Sequence, residues 1–570
     1  MIYEGTAVSD GVAVGSVFHY KPSQIEIQEK LIALDQVDEN IARYQEILKA
    51  AEKELLNLIE KMEAEEEQKK IFQAHIDIVG DDEMNQEIED EIRENLYSPE
   101  YAVKVVYDRY IHIISQAKDA LIRERAADLK DVCRRIIRLW LGVEDNSLSA
   151  LTGDVIVVAH DLLPSDTAGM KREHVLAIVT EIGGYTSHMA ILARNYGIPA
   201  VLGVPGIMEK TKDGERVAVD AKTGKIVTNL TADQEKQYQA MREEYIKTVS
   251  DLKQYLPIDA VTMDGTKIDV CLNIGSADNS ELEAEKYTDG VGLFRTEFLY
   301  MSKSQLPTEE EQFEVYKKVA MVYKERPVII RTLDIGGDKK LDYLELPQED
   351  NPFLGLRALR LCFEMKPIFK TQLRAILRAG RFGNIWIMFP MVGSIGDIRF
   401  AKQIVEETKR ELEEEGVPYG HDVKVGIMVE IPSIALMADV AASEVDFASI
   451  GTNDLCQYLT AVDRLNPSVA KYYQSFHPAM FRLIRLIVEE FTKQGKPVSV
   501  CGEMGGNPEA AALMIGLGIR KLSMNASSLA AVKKMISQIN LHKAQRMART
   551  VLELSTAVQV ENYLKSELPG

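Results

Sequence analysis

The chain has 570 residues, 46% hydrophobic and 27% charged, an ordinary globular composition with room for about three to five domains at roughly 100–200 residues each. Its formal net charge of -21 disfavours nucleic acid and anionic membrane as partners, and no apolar run is long enough to insert in a membrane. Cys133, Cys271, Cys362, Cys456 and Cys501 are scattered with no CxxC pair, which excludes a disulfide framework and a zinc site.

The opening MIYEGTAVSDGVAVG carries neither a basic n-region nor a long apolar h-region, so the expected compartment is the cytoplasm. The first twenty residues read as short strands. The texture then changes. Val37, Ile41, Tyr44, Leu48, Leu55, Leu58 and Met62 recur at three, four or seven residues, the mark of a long amphipathic helix. Helical patterns continue to about Leu141, broken at Gly80-Asp81-Asp82 and at Ser98-Pro99. From Gly153 strands and turns return in DVIVVA, VLAIVT and VAVDA. The simplest account is an α/β domain of residues 1–21 and 148–229 with an all-helical subdomain, 22–147, inserted into it. Residues 230–259 read as a linker helix ended by Pro257.

Beyond 260, eight apolar runs alternate with helical stretches: IDVCLN, GVGLFR, VIIRTLD, IWIMFPMV, KVGIMVE, FASIGTN, VSVCGEM and KLSMN. Eight strand–helix units in about 300 residues predict a (β/α)₈ TIM barrel over 260–570, whose strand carboxyl ends hold the chemistry. An open doubly wound sheet is the alternative. The predicted fold class is therefore multidomain α/β.

Two constellations stand out. Gly183-Gly184-Tyr185-Thr186-Ser187-His188 follows the strand VLAIVT and leads into a helix. Thr186 or Ser187 can cap that helix, and His188 then lies near its positive end, suited to an anionic group. An ordinary capped strand–turn–helix fits the same residues. In the second constellation, Arg295, Arg331, Arg357 and Arg464 lie in or after different barrel segments. Arginine suits forked contacts with phosphate and carboxylate. Glu430 and Asp454, at neighbouring strand ends, could hold a hard cation; Mg²⁺ fits because it accepts few protein oxygens, although a capping role would explain each singly. Cys501 ends VSV; a redox-silent core thiol and a proton donor both fit there.

Together these residues resemble the phosphoenolpyruvate (PEP)-utilising enzyme family. GGYTSHMAILAR (183–194) is similar to its swivelling-domain signature and DFASIGTNDLCQYLTAVDR (446–464) to its barrel signature. ERAADLKDV (124–132), LPSDTA (163–168), GVGLFRTEFLYM (290–301), RTLDIGGDK (331–339), NPFLGLRALR (351–360) and IMFPMV (387–392) are similar to the branch serving the bacterial phosphotransferase system, and the likeness covers essentially the whole chain.

The resemblance implies that His188 takes the phosphoryl group of PEP, with Thr167 as its hydrogen-bond partner. It implies substrate contacts from Arg295, Arg331, Arg357, Asn453, Arg464 and Lys339, Mg²⁺ ligation by Glu430 and Asp454, and proton donation by Cys501. The acceptor would be HPr, a small phosphocarrier protein, docking on the helical insert; His75, Glu83, Met84 and Arg125 are candidates for that edge, although a solvated helix surface explains them equally well. A homodimer joined through the barrels is implied as well. A dikinase of the same family would also carry a nucleotide-binding domain, and no Gly-rich phosphate loop precedes the swivelling motif. The nitrogen-related paralogue carries an added sensory domain, so the sugar branch is expected. One departure is Met189, where the family has a small residue; Tyr185 is also unusually bulky.

Overall fold

The computed structural model describes the chain except residues 22–26, 62–65, 117–119, 144–147, 149, 150, 152, 168, 169, 185–187, 302, 304, 338, 340, 342, 345, 348, 569 and 570. It divides into two compact units, Met1–Val249 and Ser250–Gly570. Among the described residues no helix is long and apolar enough to cross a membrane.

Among its described residues the first unit holds eight strands: β1 (Ile2–Glu4), β2 (Thr6–Ser9), β3 (Val12–Tyr20), β4 (Val155–Ala159), β5 (Val175–Thr180), β6 (Ala200–Leu202), β7 (Arg216–Asp220) and β8 (Lys225–Val227). They form one sheet in the order β1-β8-β7-β3-β4-β5-β6-β2, in which β3, β4, β5 and β6 run parallel. Parallel neighbours need a crossover. Between β3 and β4, paired from Ser16↔Val155 to Tyr20↔Ala159, that crossover is the whole helical block. Because side chains alternate across a strand, Ile156 and Val158 enter one core and Val157 and Ala159 the other. Burial on both faces explains why VIVVA reads as an unbroken apolar run.

The helical block contains Val37–Lys61, Glu66–Val79, Asp82–Glu94, Pro99–Ser115 and Ala120–Leu141. Val37, Ile41, Tyr44 and Leu55 line its core, with Leu48 and Leu58 packed against it; Met62 lies outside the described residues. The break at Gly80-Asp81-Asp82 is a helix start, where Asp81 Oδ1 accepts from the Met84 N–H at 2.8 Å. Two residues expected on the acceptor edge are not at the surface. His75 is 0% exposed and Met84 5% exposed, because both lie on inward helical faces. His75 Nε2 is 3.2 Å from Asp128 Oδ1, and its ring stands edge-on to Phe72. Glu83 and Arg125 are exposed.

The polar helix that follows spans Ala232–Lys253 and buries none of its residues fully. It stops short of Pro257, as expected where the residue before proline disfavours the helical region.

The second unit is a closed parallel barrel: β9 (Asp269–Ile274), β10 (Val291–Arg295), β11 (Val328–Arg331), β12 (Ile385–Phe389), β13 (Lys424–Val429), β14 (Phe447–Ile450), β15 (Val498–Val500) and β16 (Lys521–Met524). The pairing of β16 with β9, from Lys521↔Asp269 to Met524↔Leu272, closes it and rules out the open sheet. Leu293, Ile329, Trp386, Met388, Met428, Phe447 and Cys501 form a buried cluster of their own on these strands, distinct from the larger core that includes the surrounding helices.

Candidate active site

One constellation lies in each unit. In the first, the chain leaves β5 at Thr180 and turns through Gly183, at φ +111°, before the helix His188–Tyr196. A positive φ there favours glycine, whose missing Cβ removes the clash. Tyr185, Thr186 and Ser187 lie outside the described residues, as does the His188 side chain, and with them the expected cap and the expected Thr167 contact. What is described is the backbone of His188 in the first turn of a helix, the end that favours negative charge. Met189 is 5% exposed and packs with Ala190, Ala193, Ile178 and Leu202. Its bulk is therefore core packing between helix and sheet.

Thr167 closes the short helix Pro164–Thr167 and donates its hydroxyl to Pro164 O at 2.9 Å. The preceding Asp166 accepts from Tyr20 Oη at 2.6 Å and from Arg134 Nη1 at 2.7 Å, while the Ser165 N–H donates to Asp131 at 2.9 Å. The helix Ala120–Leu141 thus grips the segment that carries Thr167.

In the barrel, a chain of charges, buried except for the half-buried Lys339 and Arg464, runs across the carboxyl ends of the strands. Arg331 closes β11 and donates to Glu297 Oε1 at 2.6 Å; its Nη1 is 3.0 Å from Asp334 Oδ2. Lys339 Nζ reaches the same two acids, at 2.7 Å and 3.1 Å. Arg357 donates from Nε to Asp334 Oδ1 at 3.0 Å and from Nη1 to Asp454 Oδ1 at 3.1 Å. Arg464 Nη1 lies 3.7 Å from Asp454 Oδ2. Buried charges persist only when paired, so cations and acids alternate. Burial alone would raise Asp334, but Lys339, Arg331 and Arg357 outweigh it and hold its carboxyl well below the usual range. Burial of Glu297 is likewise overcome by Arg331 and Lys339.

Glu430 behaves oppositely. Burial, then the charges of Asp454 and Asp334, push its carboxyl from 4.5 up to about 8. Its Oε1 accepts the Met391 N–H at 2.6 Å, while Oε2 is buried with no protein partner. Met391 adopts φ +53°, a left-handed conformation that a non-glycine residue holds at a cost of order 1–3 kcal/mol. That strained turn delivers the N–H to Glu430. A carboxyl raised on folding contributes stability that is complete below 4.5 and lost as pH rises towards about 8. In chelator-treated protein, Glu430→Gln is therefore expected to flatten the fall in melting temperature across that window. An unchanged pH profile in the variant would contradict this account of Glu430.

Not every expected residue joins this chain of contacts. Arg295 ends β10, lies 5.3 Å from the Phe298 ring, and makes no ion pair among the described residues; its Nε is buried without a partner. Asn453 Oδ1 accepts from the Glu503 N–H at 3.0 Å. Cys501 is buried with Sγ 3.7 Å from Ile450 O, and burial pushes its thiol from 9.0 up to about 11. Sequence reasoning missed Glu297, Asp334 as a partner, Met391 and Tyr458, whose hydroxyl accepts from Arg357 at 3.2 Å. Glu297 and Asp334 each follow a strand-end arginine within three residues, a signal that could have found them.

Comparison with known proteins gives a consistent result along the chain. Residues 250–541 match the family described as PEP-utilising enzyme, PEP-binding domain; 151–224 match its mobile domain and 4–125 its N-terminal domain. A phosphoenolpyruvate-protein phosphotransferase of Priestia megaterium is 40% identical over 565 residues, covering 99% of this chain and 98% of that protein. One from Mycoplasma capricolum is 41% identical over 567 residues, 99% and 98% of the two chains. A solution NMR structure of an Enzyme I (nEIt) protein is 36% identical, covering 43% of this chain and 99% of that one, with a TM-score of 0.37.

Proposed function

The chain belongs to the family of PEP-utilising enzymes, and on that premise we propose that it moves the phosphoryl group of PEP to its own His188 and then to HPr, opening phosphotransferase-system sugar uptake. The observation that carries this reading is the chain of buried Arg331 and Arg357 with half-buried Lys339 at the barrel's strand ends. PEP bears a phosphate and a carboxylate, and forked guanidinium groups suit both.

In the proposed reaction a ring nitrogen of His188 attacks phosphorus. The N–P bond forms as the bond from phosphorus to the enol oxygen breaks, and the pair of electrons leaves on the pyruvate enolate. Arg331, Arg357, Arg464, Lys339, Arg295 and Asn453 orient the substrate. Cys501, still carrying its proton at neutral pH, gives it to the enolate carbon. Thr167 supports His188 from the mobile domain.

The unpartnered Glu430 Oε2, beside the charge of Asp454, fits a bound divalent cation. We assign Glu430 and Asp454 as holders of Mg²⁺, which would neutralise developing charge on the phosphoryl oxygens.

The division of labour follows the domains: 1–21 and 148–229 carry the phosphohistidine, 22–147 receives HPr, 230–259 links, and 260–570 binds PEP and joins two copies into a homodimer. The reaction takes place in the cytoplasm. One histidine serving two sites requires the mobile domain to move. Incubation with PEP labelled in its phosphoryl group, with Mg²⁺, should leave acid-labile label on His188 that HPr removes. Wild-type protein that releases no pyruvate and takes up no label would overturn this function.

A further inference from the structure

The mechanism leaves a half-buried polar arrangement beside Cys501 unused. Asn273 lies near the carboxyl end of β9 and its side chain reaches past β16 to β15. Its Nδ2 donates to the Cys501 carbonyl at 2.9 Å, and its Oδ1 accepts from the Ser523 hydroxyl at 2.6 Å. Ser523 is fully buried in β16. A Cβ on Gly292 would overlap the Ser523 side chain, so the glycine on β10 makes the room that Ser523 occupies. Because the Cys501 carbonyl can only accept, it must face the amide N–H side, and Oδ1 is left to accept from the Ser523 hydroxyl.

The Cys501 peptide is held from other directions as well. Its N–H donates to Ile450 O at 3.1 Å. A Cβ on the next residue, Gly502, would collide with the Thr452 hydroxyl, so this backbone has no freedom to carry a side chain there. The thiol lies 3.7 Å from Ile450 O with the Ser449 hydroxyl also beside it, weak contacts for sulfur, so its direction depends chiefly on the backbone it hangs from.

We infer that Asn273, locked by Ser523, is a positioning residue that aims the Cys501 thiol at one face of the enolate formed in the donor site. This rests on the reading of Cys501 as proton donor. In that step the enolate double bond supplies the electron pair for the new C–H bond, the S–H bond breaks, and the thiolate regains its proton from water. An amide clamp on the carbonyl of the donor residue keeps the S–H vector fixed without touching substrate. A displacement of about 1 Å at such a group is worth up to about 100-fold in rate.

The test uses the full-length enzyme with HPr and PEP stereospecifically deuterated at C3, run in tritiated water, and reads the chirality of the pyruvate methyl group. Wild type should give one chirality. Asn273→Ala should slow pyruvate formation by about 10- to 100-fold and yield a near-racemic methyl group. A merely structural defect would lower the amount of active enzyme and leave the chirality intact. Should Asn273→Ala fail to fold, Ser523→Ala frees the amide and should show the same scrambling to a smaller degree. Cys501→Ala separates the two claims. If it keeps a single chirality at the wild-type rate, Cys501 is not the donor and the underlying reading fails. If it scrambles while Asn273→Ala and Ser523→Ala retain one chirality, at whatever rate, the positioning role of Asn273 is overturned.

Discussion

Arg357→Ala is expected to lower the rate of phosphoenzyme formation from PEP by at least about 10²–10³, the loss typical of removing one preorganised donor to a developing anion. Arg357 is 1% exposed, and its three donor nitrogens reach both Asp334 oxygens, Asp454 Oδ1 and the Tyr458 hydroxyl. No other described side chain ties Asp334 to Asp454 directly. Truncation leaves Asp334 with Arg331 and Lys339, but Asp454 only with Arg464 at 3.7 Å. Breaking a buried pair in this way costs about 3–5 kcal/mol, so the denaturation midpoint should fall too. Arg357→Lys separates the effects. An ammonium keeps the charge but cannot reproduce the fork, so stability should recover in part while the rate stays low. Rapid quench of acid-labile phosphate and a urea titration would measure both. An alanine variant within tenfold of wild type in rate would contradict a substrate-binding role for Arg357.

Cys501→Ala should slow pyruvate release by about 10²–10⁴, the range for loss of a positioned general acid. The thiol sits in the barrel interior with Met428 and Phe447, where burial raises it to about 11. A raised thiol keeps its proton at neutral pH, which is what a donor requires. The sign also fixes the pH dependence: this step should be level through the neutral range and fail only as pH nears about 11. Single-turnover measurement, with phosphohistidine and pyruvate followed separately, should show pyruvate lagging in the variant. Simultaneous appearance of both at the wild-type rate would remove Cys501 from the mechanism.

The barrel was legible because its strands are largely buried on both faces and most end in, or lead straight into, a polar residue, giving eight separate runs. The helical block was legible because its period changed from two to about 3.6. The acceptor edge was less so. Met84 sits between Glu83 and Asn85 and His75 is itself polar, and only the packing of the helices shows that both point inward. Met189 stood out as a departure because the sequence offers no view of the cavity it fills between helix and sheet.

Local pattern alone suffices for the strands and helices, the strand-end placement of Arg295, Arg331, Glu430, Asp454 and Cys501, and the family likeness. Which of those groups meet depends on how the closed barrel folds. Arg357 and Asp454 are 97 positions apart, Asn273 and Cys501 228 apart, and both contacts lie at the carboxyl ends of the strands of one closed barrel. The pairing of the intervening acids, Glu297 and Asp334, followed from the same cause. A buried cation must be paired; the short spacing from a strand-end arginine marks Glu297 and Asp334 as candidates, but which cations each acid meets across the barrel is decided by the closed sheet.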